Sequence, residues 1–166
     1  HENEARNGDA WNDVTPAGHS GDGAMEAGPN NGTVHKKKFS TKSPQLSYYI
    51  NCVKSGTHYV WIRGMGATPS DNSLHVGLNK AEISSGKRIS GFGSIWSWRN
   101  QKNNGTPISF SVPVPGIVEL NIWMYEDGFN LDKIVVTTNE NYIPSGSGPV
   151  ESVQTGPWLL IKDPFK

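Results

Sequence analysis

An all-β fold, a two-sheet antiparallel β-sandwich of the jelly-roll type, is what this sequence predicts, and three observations carry the prediction. Apolar residues alternate with period two in runs that recur roughly every ten to fifteen residues, and nowhere do they repeat at i, i+3, i+4 and i+7 for three helical turns. Nineteen Gly and eleven Pro, with many Asn and Ser, supply turns between those runs. Eight or nine strands with one apolar face each need a second sheet to cover them, which makes a jelly roll the simplest arrangement. An immunoglobulin-type sandwich fits less well, because a chain with one Cys lacks the Cys–Trp–Cys framework.

Strands are expected at 45–54, 57–65, 73–78, 106–114, 116–125 and 131–137, with weaker ones in 23–27, 33–39 and 93–99. Lys-Ser-Gly-Thr at 54–57 and Pro-Val-Pro-Gly at 113–116 provide turn chemistry between neighbours. Alternation then places Val60, Ile62, Leu74, Val76, Leu78, Ile108, Phe110, Val112, Val118, Leu120, Ile122 and Met124 on the core side.

At 166 residues the chain fits one domain with a core of its own. Residues 1–142 are expected to form it. Ile-Pro-Ser-Gly-Ser-Gly-Pro at 143–149 is linker-like, and Trp158-Leu-Leu-Ile161 is a short apolar run, so 143–166 is expected to be a linker with the start of a neighbouring domain, or a C-terminal extension. Neither a signal peptide nor an initiator Met is present, and the chain reads as a piece of a larger protein.

Fifteen basic and fifteen acidic residues cancel, which removes any general attraction to nucleic acid or anionic membrane. No apolar run approaches the roughly 20 residues of a membrane span. Cys52 sits in an alternating run and is expected to be a buried thiol. Six Trp within only 34% hydrophobic residues leave more aromatic surface than a core of this size uses, a composition suited to extracellular glycan binding.

Two strands carry aromatic residues on the side away from the core: Tyr59, Trp61 and Arg63 in one, Trp123 and Tyr125 in the other. Either a long loop or the N-terminal segment covers them, or a sugar ring stacks on them while nearby polar groups bond its hydroxyls. Trp96 and Trp98, two residues apart in a Gly- and Asn-rich stretch, face the same way in extended chain and are the better platform.

For catalysis the signals are thin. His1, His19, His35, His58 and His75 fall in no metal-binding spacing, and neither GxSxG nor a phosphate-cradling P-loop occurs. A glycosidase needs two carboxyl groups roughly 5–10 Å apart. In Met124-Tyr-Glu-Asp-Gly-Phe-Asn-Leu-Asp132, Glu126 and Asp127 offer one half and Glu26, Asp71 or Glu119 the other. The same acids, with Asp132, could instead coordinate Ca²⁺ together with acids elsewhere, Glu2-Asn-Glu4 being a candidate.

Several segments in order resemble family 6 and family 35 carbohydrate-binding modules, the β-jelly rolls appended to bacterial polysaccharide-degrading enzymes. They are Glu2-Asn-Glu4, Gly18-His-Ser-Gly-Asp-Gly23, Gly56-Thr-His-Tyr-Val-Trp-Ile-Arg63, Trp96-Ser-Trp98 and Gly128-Phe-Asn-Leu-Asp-Lys-Ile134. The resemblance implies a structural Ca²⁺ held by Glu2, Glu4 and Asp132, stapling the first strand to the last. It also implies a loop-end sugar site using Trp96 or Trp98 and Asn130, with Tyr125 or Glu126 on the same edge and Arg63 among the ligand-binding candidates.

The expectation is a non-catalytic, monomeric carbohydrate-binding module of a secreted bacterial enzyme, holding a parent catalytic domain in cis on its polysaccharide or oligosaccharide. A small glycoside hydrolase or polysaccharide lyase, and a structural β-sandwich that binds no sugar, remain open. For acidic glycans, Arg63, Lys80, Lys87, Arg88 and Arg99 could form a local patch for uronate or sulfate groups.

Overall fold

The computed structural model describes residues 1–153. Eleven strands form two antiparallel sheets, as the alternation requires. The five-stranded sheet runs β1 (Glu2–Glu4), β4 (Gln45–Cys52), β10 (Gly116–Met124), β6 (Leu74–Leu78), β7 (Ala81–Glu82). The six-stranded sheet runs β2 (Ala10–Val14), β3 (Ala24–Gly28), β11 (Asn130–Thr137), β5 (Gly56–Met65), β8 (Ser97–Arg99), and β9 (Ser109–Val112) pairs with the other end of β5. Thus the last two strands among the described residues are both interior, β10 between β4 and β6 and β11 between β3 and β5.

The core lies between the sheets, and every residue that alternation assigned to it is buried in it or packs against it. Val60, Ile62, Leu74, Val76, Ile108, Phe110, Val112, Leu120, Ile122 and Met124 are buried, while Leu78 and Val118 pack on its margin. Each fully buried aliphatic side chain contributes about 1.5–3 kcal/mol of transfer free energy. Cys52 is a buried free thiol, and burial pushes its pKa up.

Three departures from the expected elements have physical causes. β1 and β2 are polar strands, Glu-Asn-Glu and Ala-Trp-Asn-Asp-Val, that no alternation marks; Trp11 is their one buried residue, its indole N–H donating to the Pro44 carbonyl at 3.2 Å. The weak strand at 33–39 is instead loop followed by a single helical turn, α1 (Phe39–Lys42). That turn lays Phe39 over the outer side of the five-stranded sheet, stacked on His75 at 3.6 Å and tilted against Trp123 at 5.5 Å. Trp123 is therefore fully buried although it points away from the core, and its indole donates to Gln45 Oε1 at 2.9 Å.

The segment after β11 is the third departure. Residues 146–149 lie on the outer face of the six-stranded sheet: Trp98 Nε1 donates to the Gly146 carbonyl at 3.0 Å and Lys133 Nζ to the Pro149 carbonyl at 3.2 Å. A Gly- and Pro-rich stretch reads as a linker, yet here its carbonyls satisfy side-chain donors of the sheet. The apolar run Trp158–Ile161 falls outside the described residues.

Candidate functional site

The outer face of the six-stranded sheet gathers Arg63 from β5, Trp98 from β8, Asp132 and Lys133 from β11, and Trp96 from the loop before β8. Strand alternation sends Arg63 outward beside Trp98, its register partner. The Arg63 side chain is nevertheless only 9% exposed and that of Asp132 fully buried, and Arg63 Nη1 meets Asp132 Oδ2 at 2.6 Å. Asp132 also accepts the Ser20 backbone N–H at 2.5 Å and the Ser20 hydroxyl at 2.9 Å, while the guanidinium reaches the Gly18 carbonyl at 3.3 Å. Two strands and the β2–β3 loop are thereby locked around one ion pair.

That lock shapes Trp96. Its indole N–H donates to the Ala17 carbonyl at 2.9 Å, and the Arg63 guanidinium carbon lies 5.2 Å from its ring centroid. Trp96 and Trp98 are both half-buried and fixed by different loops, the first by residues 17–20 and the second by residues 146–149. Beside Trp96, Ile95 is 76% exposed. Neither framing loop is visible as such from the Trp-x-Trp motif, although the Gly-rich stretch at 18–23 is one of them.

Glu2, Glu4 and Asp132 are not brought together. The two glutamates lie on β1 in the opposite sheet, Glu2 accepting from the Tyr49 hydroxyl at 3.1 Å. Glu4 is paired with Arg6 at 2.7 Å, a hydrogen bond that holds its pKa below the ordinary carboxylate value. Asp132 is already occupied by a guanidinium and two Ser20 donors, a setting for an acceptor with its countercharge in place. As a set these residues do not fit Ca²⁺, and among the described residues no three His, Cys, Asp or Glu are grouped as a metal site. What Asp132 staples is the β2–β3 loop to β5 and β11, through Arg63.

The acidic turn at 126–128 organises loops. Glu126 Oε2 accepts the Asn72 N–H at 3.0 Å and the Ser73 hydroxyl at 2.6 Å. Asp127 Oδ2 accepts three consecutive N–H groups, from Asn31, Gly32 and Thr33, at 2.6, 2.9 and 3.0 Å. Gly128 follows at φ +73°, where any Cβ would collide with Asn30 and crowd the Asp71 carboxyl. Both carboxylates are buried and used as acceptors for backbone that would otherwise be unsatisfied.

Tyr125 is buried here as well, its ring edge-on to His75 at 5.0 Å and covered by the Arg88 guanidinium at 4.7 Å. Burial lowers the His75 pKa to about 4. Asn130 is half-buried at the start of β11 and donates to the Gly128 carbonyl at 3.1 Å. The expected ligand set thus divides: Arg63, Trp96 and Trp98 share the outer face of the sheet, while Tyr125 and Glu126 belong to the packed loop end.

Residues 1–151 match the glycosyl hydrolase family 115 C-terminal domain. The chain belongs to that family. The match includes the segment 143–151, in keeping with its contacts on the sheet. Over 135 residues the chain is 38% identical to the uncharacterized protein P23 of Formosa agariphila, covering 74% of this chain and 33% of the relative. It spans about a third of the length of that curated relative.

Solved structures share the fold of this chain. A family 35 carbohydrate-binding module from Clostridium thermocellum superposes with a TM-score of 0.54 at 13% identity, over 78% of this chain and 87% of that one. The module CBM6cm-2 of Cellvibrio mixtus lichenase 5A, solved with cellotriose, gives 0.51 at 15% identity, over 84% and 98%. The jelly-roll likeness drawn from the motifs is borne out at the level of fold.

Proposed function

We propose that this domain is a non-catalytic glycan-binding module that holds a secreted family 115 glycoside hydrolase on its polysaccharide, with Trp96 as the stacking platform. The observation that carries the reading is the way Trp96 is held: a half-exposed indole whose N–H is tied to Ala17 and whose ring is backed by the buried Arg63–Asp132 pair. An aromatic ring fixed before binding stacks on the C–H face of a pyranose with little ordering cost. A single stacked sugar gives about millimolar to micromolar affinity, which tethering to a parent enzyme turns into a high local concentration.

The use of Glu126 and Asp127 as buried acceptors for loop N–H and hydroxyl groups speaks for a structural role of both carboxylates. A structural reading, in which the domain packs on its parent and binds no sugar, is favoured by one observation: Val53, Val114 and Ile117 are 74%, 74% and 58% exposed. Affinity gel electrophoresis on a panel of plant and algal polysaccharides, run on the native chain, Trp96→Ala and Trp98→Ala, decides between them. Retardation lost in a folded Trp96→Ala variant is the expected result. Failure of every glycan to retard the native chain would favour the structural reading.

A further inference from the structure

The chain's charges cancel overall, yet one pocket concentrates them. Lys87, Arg88, Lys102, Asn103 and Asn104 line a cavity of about 320 Å³ between the segment after β7 and the β8–β9 connection. Three of the five side chains are cationic and none is acidic. Of the basic residues that the sequence offered for an anionic patch, only Lys87 and Arg88 are in it. Arg63 is committed to Asp132, and Arg99 turns in against Gly91 and Phe92.

The two amides add donors. Asn104 Oδ1 is taken by the Thr106 N–H at 3.1 Å and Asn103 Oδ1 by the Ser90 hydroxyl at 2.6 Å, which leaves each NH₂ group for an outside acceptor. Lys102 is positioned by a bond from Nζ to the Ser84 carbonyl at 3.2 Å and keeps two further donors. Arg88 is held with its backbone at φ +54°, a region that L residues enter at some cost, and its N–H donates to His75 Nδ1 at 3.0 Å. Its side chain remains 49% exposed, and the carboxylate beside it, Glu126, is 3.8 Å away with its other oxygen occupied by Asn72 and Ser73. Burial is the main cause of the lowered His75 pKa, and the nearby charges of Lys87 and Arg88 add to it.

Cations crowded this way repel one another until an anion enters, and their N–H groups suit a ligand that brings acceptors. We propose that this pocket binds an anionic substituent of a glycan, a sulfate ester or a carboxylate, by charge-assisted hydrogen bonds from Lys87, Arg88 and Lys102. The site is distinct from the Trp96 platform and stands or falls separately from it.

The test is affinity electrophoresis of the full chain in gels containing dextran, dextran sulfate or polygalacturonate. Any basic surface slows in a polyanion, so Lys87→Gln/Lys102→Gln is compared with Lys36→Gln/Lys37→Gln, which removes the same charge from exposed residues outside the pocket lining. Loss of about tenfold in affinity for one polyanion in the first variant, with the second unchanged, is the expected result. The polymer that shows the loss tells sulfate from carboxylate. If the first double variant melts early, Lys87→Glu at its exposed position replaces it. Equal losses in both double variants, retention in the pocket variant, or no retardation by either polyanion would each overturn the proposal. Trp96→Ala is carried alongside, and its failure to alter any glycan binding would count against the stacking platform alone.

Discussion

Replacing Asp132 by Ala removes the acceptor at the centre of the outer face. In the folded state its carboxylate is fully buried and takes one guanidinium donor at 2.6 Å and two Ser20 donors at 2.5 and 2.9 Å. The Arg63 side chain, only 9% exposed, is left with the Gly18 carbonyl at 3.3 Å and the Trp96 ring. Breaking a buried pair by removing one partner costs about 3–5 kcal/mol. At about 2–4 °C per kcal/mol for a domain of this size, the melting temperature should fall by roughly 6–20 °C. Asp132→Asn keeps an oxygen for Ser20 but loses the charge facing Arg63, and should cost less, about 1–3 kcal/mol. Arg63→Met combined with Asp132→Leu removes both charges and should recover most of the loss. Urea melts followed by Trp fluorescence, with and without Ca²⁺, measure all three. A loss below about 1 kcal/mol for Asp132→Ala would refute the lock, since a buried pair cannot be opened that cheaply. A native chain destabilised by chelator, with Asp132→Ala indifferent to it, would instead make Asp132 a cation ligand.

Other consequences can be measured on the same chain. His75 has a folded pKa near 4 against an unfolded value of 6.5, so the unfolded state binds the proton first as pH falls. Stability should be intact above pH ~6.5 and decline by up to about 3 kcal/mol toward pH 4, with a shallower slope in His75→Gln; equal slopes would remove His75 as the cause. Asp127→Ala frees the N–H groups of Asn31, Gly32 and Thr33 and should cost about 1–3 kcal/mol, with faster hydrogen exchange at those three amides by NMR. Gly77→Ala places a methyl against the Trp123 ring and the Ala81 carbonyl and should lower stability by about 1–3 kcal/mol in a thermal melt.

Much of the fold was readable because β4, β5, β6, β10 and β11 each bury one face, so period two shows directly in residues such as Val60, Ile62, Leu120 and Ile122. β1 is implied only by the resemblance of Glu2-Asn-Glu4 to a first strand, and β2 carries no signal, because the pairing of both rests on backbone bonds and one Trp with no alternation to read. Trp123 shows the limit of a face assignment: pointing away from the core predicts exposure only until a distant element, here Phe39, comes to cover it. For the site, spacing placed Trp96 and Trp98 together, but their partners Ala17 and Gly146 lie 79 and 48 residues away in the chain. Asp132 was marked as structurally important by its position in β11; its partner could not be chosen from sequence, because an acid suits a cation and an arginine equally well. Lys102 gives no signal in the sequence, because a single lysine in an Asn-rich loop carries no pattern of its own.

The placement of β10 and β11 in the middle of the two sheets governs how this domain can come into being. A chain emerging from its N-terminus has β4 and β6 on one side, β3 and β5 on the other, and nothing to join them until residues 116–137 arrive. Neither half of either sheet can template the other, so most of the assembly waits on two strands made near the end of the domain. Folding should therefore be slow, in the millisecond-to-second range of non-local β proteins, and any synthesis that halts before Gly116 should leave exposed strand edges prone to intermolecular pairing.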